Sequence, residues 1–343
     1  MIPLTQVNLD IEQARVCVVI PCYNVGVRVF PVLESMPSYV DQIIVVDDQC
    51  PEQTGLKVQE HCDDPRVSVL FQPENTGVGG AVLAGFEKGL KQNADILIKL
   101  DGDGQMDSTL IERFVNPILS GMADYTKGNR FYFLESSSNM PLARRIGNLG
   151  LTFISRLSTG YYSVSDPTNG FLAIDARLAR ELPISKISKR YFFETDLLFR
   201  LNTLRARVLD IPHSAFYADE VSGLDAKSEV WRFSGLHFKV MAKRLFYNYI
   251  LRDFSMGSIF LLLALVFGLI GVFGGINAYF ASQLSGMARS GGEIAILEVS
   301  IILATLFGVG FFNHDINQEP KTAISPLLSV RPGMPLRQFD SEP

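Results

Sequence analysis

From Met256 to Ala288 the chain carries no charged residue, and no other stretch limits its possible folds so severely. A helix needs about 20 residues to cross the hydrocarbon core of a bilayer, so a membrane span is predicted over Ser255 to Phe280. Ile294 to Phe312 is a second apolar run, broken only by Glu298. Either run alone reads equally as the core helix of a soluble protein, but two adjacent runs of this length favour membrane crossing. They predict a hairpin joined by Ala281 to Glu293, a loop with one basic residue, Arg289. Arg232, Lys239, Lys243, Arg244 and Arg252 lie just ahead of it. The positive-inside rule then places the N-terminal part and the tail in the cytosol, as in an integral protein of the inner (cytoplasmic) membrane.

Between those basic residues stand Phe233, Phe238, Phe246, Tyr247, Tyr249 and Trp231. The mixture predicts an amphipathic helix over 230–254 lying at the headgroup layer; an ordinary helix packed on the domain, with snorkelling lysines, is the other reading. The segments that follow are the hairpin, 255–313, and a proline-rich flexible tail, 314–343.

The remaining 229 residues read as one α/β domain. Short apolar runs alternate with helix-like segments, the pattern of a mostly parallel sheet. Strands are predicted over Val16 to Ile20, Gln42 to Val46, Val67 to Phe71 and Asp95 to Leu100, with helices over Val27 to Met36 and from the glycine run to about Lys91. Polar groups follow each strand's C-terminal end, which is where open α/β sheets bind ligands. The net charge of −5 argues against a nucleic-acid partner, which needs a positive field. Cys17, Cys22, Cys50 and Cys62 form no C-x-x-C pair and the four histidines do not cluster with them. No zinc site is expected, and free buried thiols in a reducing compartment are. Met1 to Gln13 lacks the apolar core of a secretory signal.

The strongest chemical element is Asp101-Gly102-Asp103-Gly104-Gln105. Two carboxylates and an amide at alternate positions of a tight turn offer hard oxygen ligands, suited to Mg²⁺ or Mn²⁺ that keeps positions for substrate phosphates. A solvated acidic turn is the plainer alternative. Asp47-Asp48 ends the second strand and reads either as an acceptor for ribose or base donors or as a cap. The run Asn75 to Ala81 lacks the Gly-Lys-Ser/Thr ending of a phosphate-binding loop, and Val82 stands where a dinucleotide fingerprint needs its third glycine.

Taken together, Val18-Val19-Ile20-Pro21-Cys22-Tyr23-Asn24, Val45-Val46-Asp47-Asp48, Asn75-x-Gly77 and Asp101-x-Asp103-x-Gln105 resemble, in order and spacing, the family 2 glycosyltransferases of GT-A fold. The likeness covers residues 14 to 220 and is greatest to the polyprenyl-phosphate sugar synthases of the dolichyl-phosphate mannose synthase group. It implies a GT-A nucleotide-sugar-binding domain, with a nucleoside-diphosphate sugar as donor and a polyprenyl phosphate or other lipid-linked acceptor at the bilayer. On this resemblance Pro21, Tyr23, Asn24, Asp47 and Asp48 hold the nucleoside, while Asp101, Asp103 and Gln105 hold the metal and diphosphate. The chain departs from the family where Val25 replaces an acid and Gln49-Cys50 replaces Gly-Ser.

Gly128-Asn129-Arg130 follows an expected strand, and Arg144-Arg145-Ile146-Gly147-Asn148 opens an amphipathic helix. The resemblance implies that Arg130, Arg144 and Asn148 bind the acceptor phosphate. Arginine suits that task because its fork donates two bonds and stays charged, whereas solvent-facing surface arginines are the alternative. Phe153, Ile154, Leu157, Tyr161 and Tyr162 make this segment apolar enough to meet lipid. Asp166, Glu194 and Asp196 are later acids. A hydroxyl acceptor would need one as general base, whereas a lipid phosphate is already anionic and needs none. Glu194 and Asp196 are equally readable as acceptor binders or as structural partners of Arg190 or Arg200. The expected catalytic set is therefore Asp101, Asp103, Arg130, Asp166 and Asp196. Two rival readings stand beside lipid-phosphate transfer: extension of a lipid-linked saccharide through a hydroxyl, and a catalytically silent nucleotide-sugar-binding or scaffold protein. Self-association into a homo-oligomer is left open.

Overall fold

The computed structural model describes residues 11–132, 142–213 and 226–328. They form two units, one built from residues up to Val240 together with those from Pro320 onward, the other from Met241 to Glu319.

The first unit is a seven-stranded sheet in the order β3-β2-β1-β4-β6-β5-β7. Its strands are β1 (Val16–Cys22), β2 (Val40–Asp47), β3 (Val67–Phe71), β4 (Ile96–Lys99), β5 (Tyr125–Asn129), β6 (Leu172–Asp175) and β7 (Val208–Pro212). Its helices are α1 (Val29–Glu34), α2 (Thr54–His61), α3 (Val78–Lys91), α4 (Ile111–Leu119), α5 (Leu142–Thr159), α6 (Ala176–Glu181) and α7 (Phe193–Thr203). β3, β2, β1 and β4 run parallel, whereas β6 lies antiparallel between β4 and β5. The sheet is thus mostly parallel, as expected. From β1 the sheet grows toward one edge through β2 and β3, and from β4 toward the other through β6, β5 and β7, so a ligand crevice is expected where β1 and β4 end.

Alternation along the strands sends two sets of side chains into two cores. Cys17, Val19, Val46, Leu97, Tyr125 and Leu172 pack with α3, α6 and α7 on one face. Val18, Ile20, Val45, Ile98 and Ala173 pack with α1 and α4 on the other. The first expected helix is shorter than predicted: a 3₁₀ turn, Gly26–Arg28, precedes α1, which ends at Glu34. The sequence reading passed over α2, which follows a loop held by Asp47.

Two connections extend this unit. The helix α8 (Ala226–Phe246) packs His237, Phe233 and Val240 against Ser158, Phe192 and Phe199, while Phe238 and Phe246 stay exposed. One face of the helix is therefore packed on the domain, and the other keeps aromatic side chains exposed; the side chain of Trp231 lies outside the described residues. After the hairpin, Ile324 and Ser325 donate backbone N–H bonds of 2.7–3.0 Å to Asp124, whose carboxylate is fully buried and also caps Arg207. The expectation of a free tail from residue 314 is corrected here, because residues 324–328 return to the α/β unit; residues 329–343 lie outside the described residues.

The second unit contains α9 (Met256–Ser285) and α10 (Gly291–Asn317), both long and apolar enough to cross a membrane. At 1.5 Å per residue they reach about 45 and about 40 Å, beyond the roughly 30 Å of hydrocarbon. Gly271 and Gly274 let α9 close onto Ile301 and Leu297 of α10, where a β-carbon would overlap. Within the same unit the Arg244 fork meets Asp315 at 2.7 and 2.8 Å, with Tyr249 Oη at 2.7 Å, all buried. Glu298 is exposed on α10.

Candidate active site

The acidic turn stands at the end of β4, beside the end of β1. Gly102 lies against Ile20, Cys22 and Val25, where a β-carbon would sit tightly at 3.0–3.3 Å, and this brings Asp101 to Gln105 next to Pro21-Cys22-Tyr23-Asn24. Gly104 has φ of +81°, the left-handed conformation glycine adopts without strain. Gln105 N–H donates to Asp103 Oδ1 at 3.0 Å, so the turn is internally braced. The Asp101 side chain keeps 31% of its surface open, and Asp103 and Gln105 are half-buried.

Among the residues expected to hold the nucleoside, Tyr23 is half exposed, and Asn24 takes φ of +56°. That strained residue is held from two directions: Arg28 donates to its carbonyl, and its own N–H meets Cys50 Sγ at 3.2 Å. Gln49 also adopts φ of +56°, at the position where the resembled family has glycine. The paired aspartates bind inward. Asp47 accepts from the N–H groups of Cys50 and Gly55, each at 2.7 Å, which anchors the start of α2. Asp48 accepts from Thr76 N and Oγ1, both at 2.9 Å, and from Gly77 N at 2.8 Å, tying the glycine run to the end of β2. Both carboxylates are buried, and these internal bonds brace the chain after β2.

Among the residues expected to meet the acceptor, Arg130 leaves the end of β5 and forms a two-pronged bond with Asp166, Nε to Oδ2 at 2.7 Å and Nη2 to Oδ1 at 3.0 Å. Asn169 donates to Asp166 at 3.2 Å and approaches His213 Nε2 at 2.8 Å. Gly128 permits this packing, since a β-carbon there would meet both Asn169 and His213. On α5 the side chain of Arg144 falls outside the described residues, as does that of Arg145; Asn148 is half-buried. Leu149 and Phe153, four positions apart on one helix face, are 71% and 63% exposed, and Ile154 joins them. Tyr161 departs from its predicted role: it is buried in the core and donates to the carbonyl of Ala206 at 2.6 Å.

The later acids separate. Asp196 accepts from Ser188 N–H at 2.7 Å and pairs with Arg200 at 3.3 Å. This is the structural pairing given as one alternative for it, whereas the expected catalytic set included Asp196. Glu194, two positions earlier on α7, faces the site instead, with Lys99 Nζ 3.7 Å from its Oε1. The sequence reading missed Lys99 and Lys127. Lys99 sits 2.8 Å from Asp101 Oδ1. Burial works against its charge, but Asp101 and Glu194 outweigh that and raise its pKa. Lys127 donates to the carbonyl of Asn169 at 2.6 Å, and burial pushes its pKa down to about 8 against the pull of Glu194 and Asp166. For Lys99 the available signal was a lysine in an apolar strand, whereas β5, Tyr125-Thr126-Lys127-Gly128-Asn129, offered none for Lys127.

Among the described residues no three His, Cys, Asp or Glu side chains gather as a metal cage. The acidic turn suits a divalent cation that takes its other ligands from phosphates and water, which is how Mg²⁺ is usually bound beside nucleotides.

An open α/β sheet with an acidic turn at its switch point and a braced arginine two strands away defines a sugar-nucleotide transferase of the GT-A type. The family model for glycosyl transferase family 2 matches residues 17–182. The chain is 30% identical to the undecaprenyl-phosphate mannosyltransferase of Micrococcus luteus over 58% of its own length and 82% of that protein's. It is 28% identical to the UDP-N-acetylglucosamine–dolichyl-phosphate N-acetylglucosaminyltransferase of Methanococcus voltae, over 59% of this chain and 85% of that one. Mannosyl-3-phosphoglycerate synthase from Rubrobacter xylanophilus shares the fold, with a TM-score of 0.52 at 17% identity, over 71% of this chain and 77% of that one. The protein belongs to glycosyl transferase family 2, and it is a glycosyltransferase.

Proposed function

We propose that this glycosyltransferase moves a sugar from a nucleoside diphosphate to a polyprenyl phosphate, with inversion, at the cytosolic face of the membrane that its hairpin anchors. Relatives from Micrococcus luteus and Methanococcus voltae act, by name, on undecaprenyl and dolichyl phosphate. The observation that carries the reading is the state of the acids. Asp166 is clamped by Arg130, Asp196 by Ser188 and Arg200, and Glu194 faces Lys99. A hydroxyl acceptor needs a base to receive its proton, and acids committed to cations serve poorly. A phosphate acceptor needs only cations, which this side of the site supplies.

In that reaction an anionic phosphate oxygen attacks the anomeric carbon. The new carbon–oxygen bond forms as the bond to the departing diphosphate breaks, and the electron pair leaves with the diphosphate. Arg130, fixed by Asp166, holds charge beside the acceptor, and the exposed Leu149 and Phe153 offer an apolar surface to its chain. Asp103, with Asp101 and Gln105, would hold Mg²⁺ or Mn²⁺, whose charge stabilises the diphosphate as it leaves. The return of residues 324–328 to Asp124 supports two crossings, because the chain on either side of the hairpin then lies on one side of the membrane.

The test incubates membranes containing the protein with labelled nucleotide sugars and polyprenyl phosphate, then extracts the lipid. Label in a lipid monophosphate sugar is the expected result. Label that appears only when a lipid-linked saccharide is supplied would overturn the phosphate acceptor.

A further inference from the structure

Between the acidic turn and Arg130 lies a row of side chains of alternating charge: Asp101, Lys99, Glu194, Lys127, Asp166 and Arg130. Lys99 meets Asp101 at 2.8 Å and Glu194 at 3.7 Å. Lys127 feels Glu194 and Asp166 most strongly among its charged neighbours. It is linked to Asp166 through Asn169, whose carbonyl accepts from Lys127 at 2.6 Å and whose amide donates to Asp166 at 3.2 Å. Arg130 closes the row at 2.7 Å from Asp166.

The sheet register explains how the two lysines come to lie near one acid. Lys99 on β4 and Lys127 on β5 both lie opposite Leu172 of β6, and directly opposed residues point to the same face. That face is covered by α7, whose Leu197 and Leu198 pack in its core, and Glu194 stands in the first turn of α7. Gly170 completes the arrangement, since a β-carbon there would collide with both Lys99 Nζ and Asp101 Oδ2. Both lysines are almost wholly buried. Buried ion pairs are seldom better for stability than apolar side chains of similar volume, so stability does not account for them.

We propose that Lys99 and Lys127 are positioning residues for the two halves of the reaction. Lys99 fixes Asp101 toward the donor diphosphate, Lys127 fixes Asp166 and thereby Arg130 toward the acceptor phosphate, and Glu194 is their shared counter-ion. This rests on the transfer to polyprenyl phosphate proposed above.

The experiment uses the full-length protein in nanodiscs. Nucleotide binding is read by calorimetry with UDP and with GDP, each with Mn²⁺, and acceptor use is read as the KM for polyprenyl phosphate. Lys99→Met should weaken nucleotide–Mn²⁺ binding by about tenfold or more and leave the acceptor KM within about threefold, the loss expected for one charge-assisted contact. Lys127→Met should do the reverse. Glu194→Gln, which changes almost no volume, should weaken both. Equal effects of the two lysine variants on both quantities, or a Glu194→Gln protein with wild-type values, overturns the proposal. Where a lysine variant does not fold, the charge-balanced double with Glu194→Gln is read instead, and wild-type affinities in a folded double again overturn it. A wild-type protein that binds nucleotide yet never glycosylates polyprenyl phosphate sinks the acceptor reading alone, since the Lys99 arm is still measured by calorimetry.

Discussion

Arg130 holds Asp166 by three contacts: Nε at 2.7 Å, Nη2 at 3.0 Å and its own backbone N–H at 3.2 Å. Asp166 is fully buried. Burial alone would raise its pKa, but the Arg130 fork and the charges of Arg130 and Lys127 outweigh it and hold the carboxyl below the usual range. At neutral pH it is an anion with little basicity. It is placed to aim the arginine rather than to take a proton.

Asp166→Asn keeps the shape and removes that charge. The fork then loses a charge-assisted contact of about 1.5–3 kcal/mol, and the KM for lipid phosphate should rise about tenfold or more while kcat changes less. Steady-state kinetics with polyprenyl phosphate as the varied substrate decides it. A large fall in kcat at unchanged KM would make Asp166 a base after all.

The acidic turn gives a second prediction. Asp103 sits half-buried on a turn whose neighbour Gly104 touches little else, so Asp103→Ala should fold normally. It should abolish transfer and metal-dependent nucleotide binding together. Full activity in EDTA, or in the variant, would remove the cation from the reaction.

How legible these features were depends on their range. Strand ends and the acidic turn can be read locally, because buried runs such as Ile96 to Leu100 and the glycines that follow, Gly102 and Gly104, are contiguous in sequence. The hairpin was legible for the same reason. The choice between Glu194 and Asp196 was not, since two positions on a helix point roughly 200° apart and the phase of α7 is set by packing. Lys99 was passed over, because its partner Glu194 comes from a distant helix. Tyr161 looked like a lipid contact because the carbonyl it bonds, that of Ala206, lies in a later loop.

A pH effect follows from His237. Its Nδ1 lies 2.8 Å from Ser158 Oγ and Phe192 packs edge-on to its ring. Burial pushes its pKa down to about 4 from 6.5. Below 6.5 the unfolded chain gains a proton that the folded one refuses. The stability is therefore full above about 6.5 and declines as pH falls toward 4, by at most about 3 kcal/mol. Melting curves of the wild type and of His237→Gln between pH 7.5 and 4.5 test this. The variant should lose less over that window, and parallel curves would exclude His237 as a source.

Topology is tested by single cysteines placed at Ala288, Asn139 and Ser341, the last two lying outside the described residues. The basic approach to the hairpin and the return of Ser325 to Asp124 predict that only the Ala288 cysteine reacts with an impermeant maleimide on intact cells. Labelling at residue 341 from outside would refute two crossings.

The last prediction separates the two enzymatic acceptors by what each nucleophile requires. A lipid phosphate attacks as an anion and gives up no proton, but it must be held next to a second polyanion. Arg130→Lys and Arg144→Ala should therefore raise its KM about ten- to hundredfold, since lysine cannot reproduce the fork. Asp196→Asn should leave most activity, because Asp196 serves Ser188 and Arg200 and no base is needed; any loss should track a lower melting temperature. If the acceptor is instead a hydroxyl, the order reverses. Removing its base costs about 10²–10⁴ in kcat, while the arginines matter less. All three variants belong in one assay with the same lipid acceptor, beside nucleotide binding as a check on folding. A folded Asp196→Asn protein that binds nucleotide but transfers nothing, next to active arginine variants, would replace the phosphate acceptor with a saccharide hydroxyl.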